Sequence, residues 1–94
     1  MSAGQLTTLH FDVGTVHSRD ELYETISAAL GRPCPWGPYS MAWEIDDHPM
    51  PVEITVTGFE ALLGRLPAQA KMFMLALREV VEAHCAEGCV LHVV

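Results

Sequence analysis

Three short stretches in which apolar and polar residues alternate decide what this chain can fold into. Leu9, Phe11 and Val13 are separated by His10 and Asp12; Val52, Ile54 and Val56 by Glu53 and Thr55; Cys89, Leu91 and Val93 by Val90 and His92. A period of two sends alternate side chains to opposite sides of an extended backbone, so residues 8–13, residues 52–57 and the stretch from Cys89 onward are each predicted to be a strand. The connections between them are far longer than a hairpin needs and carry helical patterns, which makes the strands parallel neighbours joined by right-handed crossovers. The alternate positions His10, Asp12, Glu53, Thr55 and His92 are polar, so helices are expected over one sheet face only. The predicted fold is α/β: one two-layer domain over residues 1–94, with a three-stranded parallel sheet and helices packed mainly on one face.

The helices are bounded by local chemistry. Ser18-Arg19-Asp20-Glu21 has the form of a capping box, in which the Ser18 hydroxyl accepts from the Glu21 amide and the Glu21 side chain reaches back. Leu22, Ile26, Ala29 and Leu30 then share a face, and Gly31 followed by Pro33 stops the helix, which is predicted over Arg19–Leu30. Arg32–Pro51 holds five of the six prolines and is compatible with only a short helix or a single turn between Tyr39 and Asp46. Gly58 ends the second strand. Phe59–Leu66 suits a two-turn helix with Phe59, Leu62, Leu63 and Leu66 on one side, and Pro67 opens the next. From Ala68 to about Ala86, Phe73, Leu77, Val80, Val81 and His84 mark one face, while Lys71, Arg78, Glu79 and Glu82 lie on the other. Gly88 stands where a C-terminal cap belongs.

Half of the 94 residues are hydrophobic, enough for a modest core without disulfides or metal. Twelve Asp and Glu against five Lys and Arg give a net charge of −7, which repels nucleic acid and anionic membranes and speeds encounter with a basic protein. No apolar run reaches transmembrane length, and Met1-Ser2-Ala3-Gly4-Gln5 lacks the basic and apolar parts of a signal peptide. Three cysteines, an odd number, fit a reducing compartment and free thiols, so a cytoplasmic location is expected. His84, Cys85, Cys89 and His92 straddle a helix stop and form no Cys-x-x-Cys, so no metal site is expected, and no cofactor. The scattered histidines and the contiguous Asp46-Asp47-His48 define neither a catalytic triad nor a carboxylate dyad, and the seven glycines stand apart and form no phosphate loop. Met72, Phe73 and Met74 read as core and near-core packing. The chain is therefore not expected to be an enzyme; acid–base work by the acidic loop is the weaker rival.

One stretch does not fit the scaffold. Cys34 to His48 packs Trp36, Tyr39 and Trp43 among Glu44, Asp46 and Asp47, with little periodicity. Aromatic rings give large contact area at low entropic cost, and flanking carboxylates suit a cationic partner. The rings either cover the core beneath a loop or face a partner; the carboxylates either sit in a solvated loop or meet the partner's cations.

The element order and several local strings resemble the barstar family, intracellular inhibitors of barnase-like microbial ribonucleases. Ser18-Arg19-Asp20-Glu21-Leu22-Tyr23 resembles that family's Ser-x-x-Asp-Leu-His helix start, and Trp36-Gly37 its Tyr-Gly. Phe59-Glu60 and Arg78-Glu79 recur in like places, and Ala86-Glu87-Gly88-Cys89 resembles its Ala-Glu-Gly-Cys before the last strand. The resemblance implies a protein inhibitor that binds a secreted ribonuclease one to one as a monomer, plugging the active site with residues 34–48, its carboxylates standing in for RNA phosphates. With a one-residue gap, Trp43-Glu44 falls on the family's Trp-Asp pair, which makes Glu44 the central anion; without the gap, Ile45 takes that place. The family's other helix aspartate maps to Ser40 or Met41, and the segment from Gly37 to Pro51 is shorter than in the family, with Asp46 and Asp47 left to compensate. A glutamate on the last helix, Glu79 or Glu82, is the further implied contact. The resemblance thus points to Trp36, Tyr39, Trp43, Glu44, Asp46, Asp47 and Glu82 as partner-binding residues. The alternative is an immunity or regulatory module of the same fold directed at another basic protein or toxin.

Overall fold

The computed structural model describes residues 7–94. The elements run β1 (Thr7–Asp12), α1 (Arg19–Leu30), α2 (Pro38–Asp46), β2 (Val52–Thr57), α3 (Phe59–Arg65), α4 (Pro67–Ala83), a 3-10 turn (Cys85–Glu87) and β3 (Val90–Val93). The sheet order is β1-β2-β3, with both pairs parallel; Leu9 sits beside Ile54 and Phe11 beside Val56, while Ile54 also faces Leu91. When the order in the sheet follows the order in the chain, right-handed crossovers step the same way twice and carry both sets of helices to one face.

Burial follows that geometry. Leu9, Phe11, Val52, Ile54 and Val56 are buried under the helices, whereas Thr8, His10 and Asp12 are exposed on the other side. The core is closed by Leu22 and Ile26 from α1, Met41 and Ile45 from α2, Leu62 from α3, and Ala70, Phe73, Leu77 and Val80 from α4. Phe11 and Phe73 meet edge to face with centroids 5.5 Å apart, tying the sheet to the longest helix. On the open face the polar side chains satisfy one another: His10 Nε2 lies 3.0 Å from Thr57 Oγ1, and His92 Nε2 lies 3.3 Å from Glu53 Oε2. Among the described residues no helix is long and apolar enough to cross a membrane.

Local signals placed most boundaries. The Glu21 amide donates to Ser18 Oγ at 3.1 Å, and Gly31 ends α1 in the left-handed region at φ 72°, donating to Ser27 and Ala28 carbonyls. The Glu21 carboxylate, expected to close the box on Ser18, instead accepts from the His17 amide at 2.7 Å. Of the two readings of the proline-rich segment, a short helix or a single turn, the structure has the helix: nine residues, with Pro38 at its first turn and Met41 and Ile45 fully buried beneath it. Two further expectations are corrected. The last helix stops at Ala83, short of Ala86: the His84 amide makes its final bond to Val80, and the His84 carbonyl then accepts from Glu87 and Cys89 as the chain turns into β3. Leu63, expected on the inner side of α3, is 38% exposed, because one residue's step of about 100° from buried Leu62 carries it out of a two-turn helix's narrow inner stripe.

Candidate functional site

The entry to α2 is set by Gly37, which adopts φ 55° and ψ −128°, a combination open to glycine alone. An added Cβ there would stand within 2.7 Å of three ring carbons of Tyr23. Behind the turn, the buried Cys34 receives Ser27 Oγ as acceptor for its amide at 2.9 Å, and its Sγ lies 3.4 Å from Ser40 Oγ. The two positions onto which the resemblance carries a helix aspartate are thus inward: Ser40 faces Cys34, and Met41 is core.

Once Met41 and Ile45 are committed to the core, the helical period forces Tyr39 and Trp43, one turn apart, to the outside. Trp36 is 68% exposed, Tyr39 68% and Trp43 74%. Neither tryptophan covers the core. Trp43 forms a crest, and carboxylates lie on both of its slopes. On the α1 side, Arg32 holds Glu44 at 3.3 Å and Asp47 at 3.4 Å, and the Glu44 side chain is only 27% exposed. On the α4 side, Asp46 Oδ1 lies 2.8 Å from His84 Nε2, while His84 Nδ1 is 3.2 Å from Glu87 Oε2. The hydrogen bond to Asp46 holds the His84 imidazole above its ordinary pKa of 6.5, outweighing the burial that lowers it, and Glu87 adds to the rise.

Glu79 completes the α4 slope. It lines both shallow hollows between the two helices, one with Tyr39 and Leu75 and the other with Trp43 and Asp46. It has no ion pair or side-chain hydrogen bond among the described residues. Glu82 is exposed one turn further along α4 and lines neither hollow. Of the two last-helix glutamates, Glu79 is therefore the one that α2 meets. The Tyr39 hydroxyl reaches Met72 Sδ at 3.9 Å across the same seam.

The surface therefore offers three exposed rings, one unpaired carboxylate and three carboxylates whose charge is already shared with Arg32 or His84. Such a surface can engage a cationic partner by ring stacking, cation–π contact and charge-assisted hydrogen bonds. The sequence signal for the helix was present in Gly37-Pro38, a flexible turn followed by the residue best suited to a first helical turn. Compared with protein families, curated proteins and solved structures, the chain matches none.

Proposed function

We propose that the α2–α4 crest is a docking face for a basic protein, and that the partner is a secreted guanyl-specific ribonuclease whose active site it plugs. The observation that supports this reading most is the projection of Tyr39 and Trp43 from a helix anchored by fully buried Met41 and Ile45, with Trp36 exposed in the turn before it and the unpaired Glu79 beside it. A short helix pinned to the core loses little entropy when its rings are immobilised, which favours tight association. The barstar-like strings suggest the target class, and the exposure of the three rings supports the choice of contact residues. On this reading Trp43 is the central anchor, Asp46 and Glu79 meet the enzyme's cations, and Arg32 buttresses Glu44 and Asp47 at the rim. A cell that exports a nuclease needs an antidote inside, and an acidic plug with fast association suits that task.

The test is titration against guanyl-specific ribonucleases, with cleavage of an RNA substrate as the readout. Inhibition is expected, weakened roughly tenfold or more by Trp43→Ala and by Glu79→Gln, with Glu82→Gln unchanged. A larger loss from Glu44→Ala than from Glu79→Gln would make Glu44 the central anion instead. Failure to inhibit any such enzyme at micromolar concentration would remove the nuclease from the proposal and leave the same face as an immunity or regulatory surface for another basic protein.

A further inference from the structure

The chain has five Lys and Arg in all, and their placement is uneven. Arg19 lies over the Tyr23 ring at 5.8 Å, Arg32 is held by Glu44 and Asp47, and Arg65 donates to the Gly14 and Val16 carbonyls. The remaining two, Lys71 and Arg78, have no ion pair among the described residues. Both line one groove of about 430 Å³ between α3 and α4, whose other walls are Phe59, Leu63, Met74 and Leu75. Leu63 and Leu75 are 38% and 61% exposed, so apolar surface lies open between the two cations. No other place among the described residues brings uncommitted positive charge to uncovered apolar side chains, and the groove opposes the sign of the whole molecule, −7.

From this we infer that the α3–α4 groove is a second docking site, whose occupant is an acidic amphipathic helix of a partner protein. The assignment does not depend on the reading of the α2 face. Arg78 stands seven positions after Lys71, two helical turns or about 10.5 Å, with Met74 and Leu75 between them. A helix laid along α4 meets that spacing with carboxylates two turns apart and an apolar pair between them, which is the helix-in-groove mode of recognition. No carboxylate lines the groove: Lys71 and Arg78 stand at either end of its apolar middle. Salt bridges at such a rim set orientation and specificity, and the leucine pair supplies most of the contact. The protein would then join a basic partner, on the α2 crest, to an acidic one.

The probe is a fluorescein-labelled stapled peptide with leucines at i and i+4 flanked by glutamates two turns apart, measured by anisotropy with the whole chain. A lysine-for-glutamate twin is the control. The acidic peptide is expected to bind, the twin to bind at least roughly tenfold more weakly, and Lys71→Glu combined with Arg78→Glu to weaken the acidic peptide by a similar factor while rescuing the twin. Both side chains are exposed, so the double variant keeps its fold, which near-ultraviolet dichroism checks. Leu63→Ser, which leaves the charges in place, is expected to weaken both peptides alike. Absence of acidic-peptide binding at about 100 µM, below the affinity of a weak specific contact, overturns the proposal. So does equal binding by the double variant, or a dimer of the protein alone that Lys71→Glu and Arg78→Glu dissolve, which would make a second copy the occupant.

Discussion

Replacing Gly37 by alanine strikes the joint on which the recognition helix is mounted. Two costs are separable in the structure. The backbone at φ 55° and ψ −128° lies outside the regions an L-residue adopts, which costs about 1–3 kcal/mol. The new methyl also lands within 2.7 Å of Tyr23 Cε1, Cδ1 and Cζ, well inside van der Waals contact, so the ring must retreat by about 1 Å at an overpacking cost of roughly 1–3 kcal/mol. Tyr23 is packed against the core and lies beneath Arg19, so that retreat is resisted. The sum, about 2–6 kcal/mol, is a large part of the roughly 5–14 kcal/mol expected for a domain of this size, and the melting temperature should fall by about 8 °C or more. Gly31→Ala is the reference. It too has positive φ, 72°, but nothing stands within 4 Å of its added Cβ, so only about 1–2 kcal/mol is expected. Urea unfolding of Gly37→Ala, Gly31→Ala, Tyr23→Ala and the Gly37→Ala/Tyr23→Ala double variant closes a mutant cycle. Without the ring, Gly37→Ala should cost only its backbone share. A Gly37→Ala cost no greater than that of Gly31→Ala, or one unchanged by removal of the Tyr23 ring, would refute the clash.

Other consequences can be checked in the same protein. Phe73→Ala removes a fully buried ring that meets Phe11 edge to face, so it should lose about 3–5 kcal/mol in urea unfolding; a loss under about 1 kcal/mol would show that the sheet and α4 are not joined there. His84 has its pKa raised in the folded state, so its interaction with Asp46 stabilises the fold fully below pH 6.5 and is lost as pH rises through the raised folded value. The stability gap between the native protein and Asp46→Asn should accordingly shrink with rising pH, and the imidazole titration followed by NMR should move to lower pH in that variant; an unmoved midpoint would refute the contact. Cys85 is exposed, whereas Cys34 and Cys89 are buried and burial pushes the Cys89 thiol up, so alkylation should modify one cysteine quickly and the other two only on unfolding. Mass spectrometry showing early modification of Cys89 would contradict the packing of the turn that leads into β3.

The relation between the α4 glutamates and α2 is not encoded locally. Spacing alone placed both Glu79 and Glu82 on the outer side of the last helix, and both are exposed. Which of them faces Tyr39 and Trp43 depends on the side from which α2 approaches α4, a matter of how two helices dock. The Arg32 clamp on Glu44 and Asp47 and the His84 bridge to Asp46 join residues 12, 15 and 38 apart in sequence, and no local rule pairs such positions. The full length of α2 was hidden for a related reason. Its surroundings read as breakers, and a helix of nine residues is held mainly by burying Met41 and Ile45 against the rest of the core.

What the sequence determined by itself was the set of features encoded within a few residues or by a simple period. Alternation specified the three strands and which side of β1 and β2 is wet, and the one-sided polarity predicted a sheet covered on a single face; in β3 it did not, since Val93, expected inward, is 50% exposed. Ser18, Gly31, Gly58 and Pro67 marked helix and strand ends because caps and breakers act on their immediate neighbours. Tertiary structure alone decided that the aromatic rings stand outside the core, that Glu79 lines the hollows beside Tyr39 and Trp43, and that three of the carboxylates are already partnered. It also decided that the two uncommitted cations share one groove. Such facts depend on which faces of distant helices meet, and that choice is made by the packing of a common core, in which every contact is conditional on all the others.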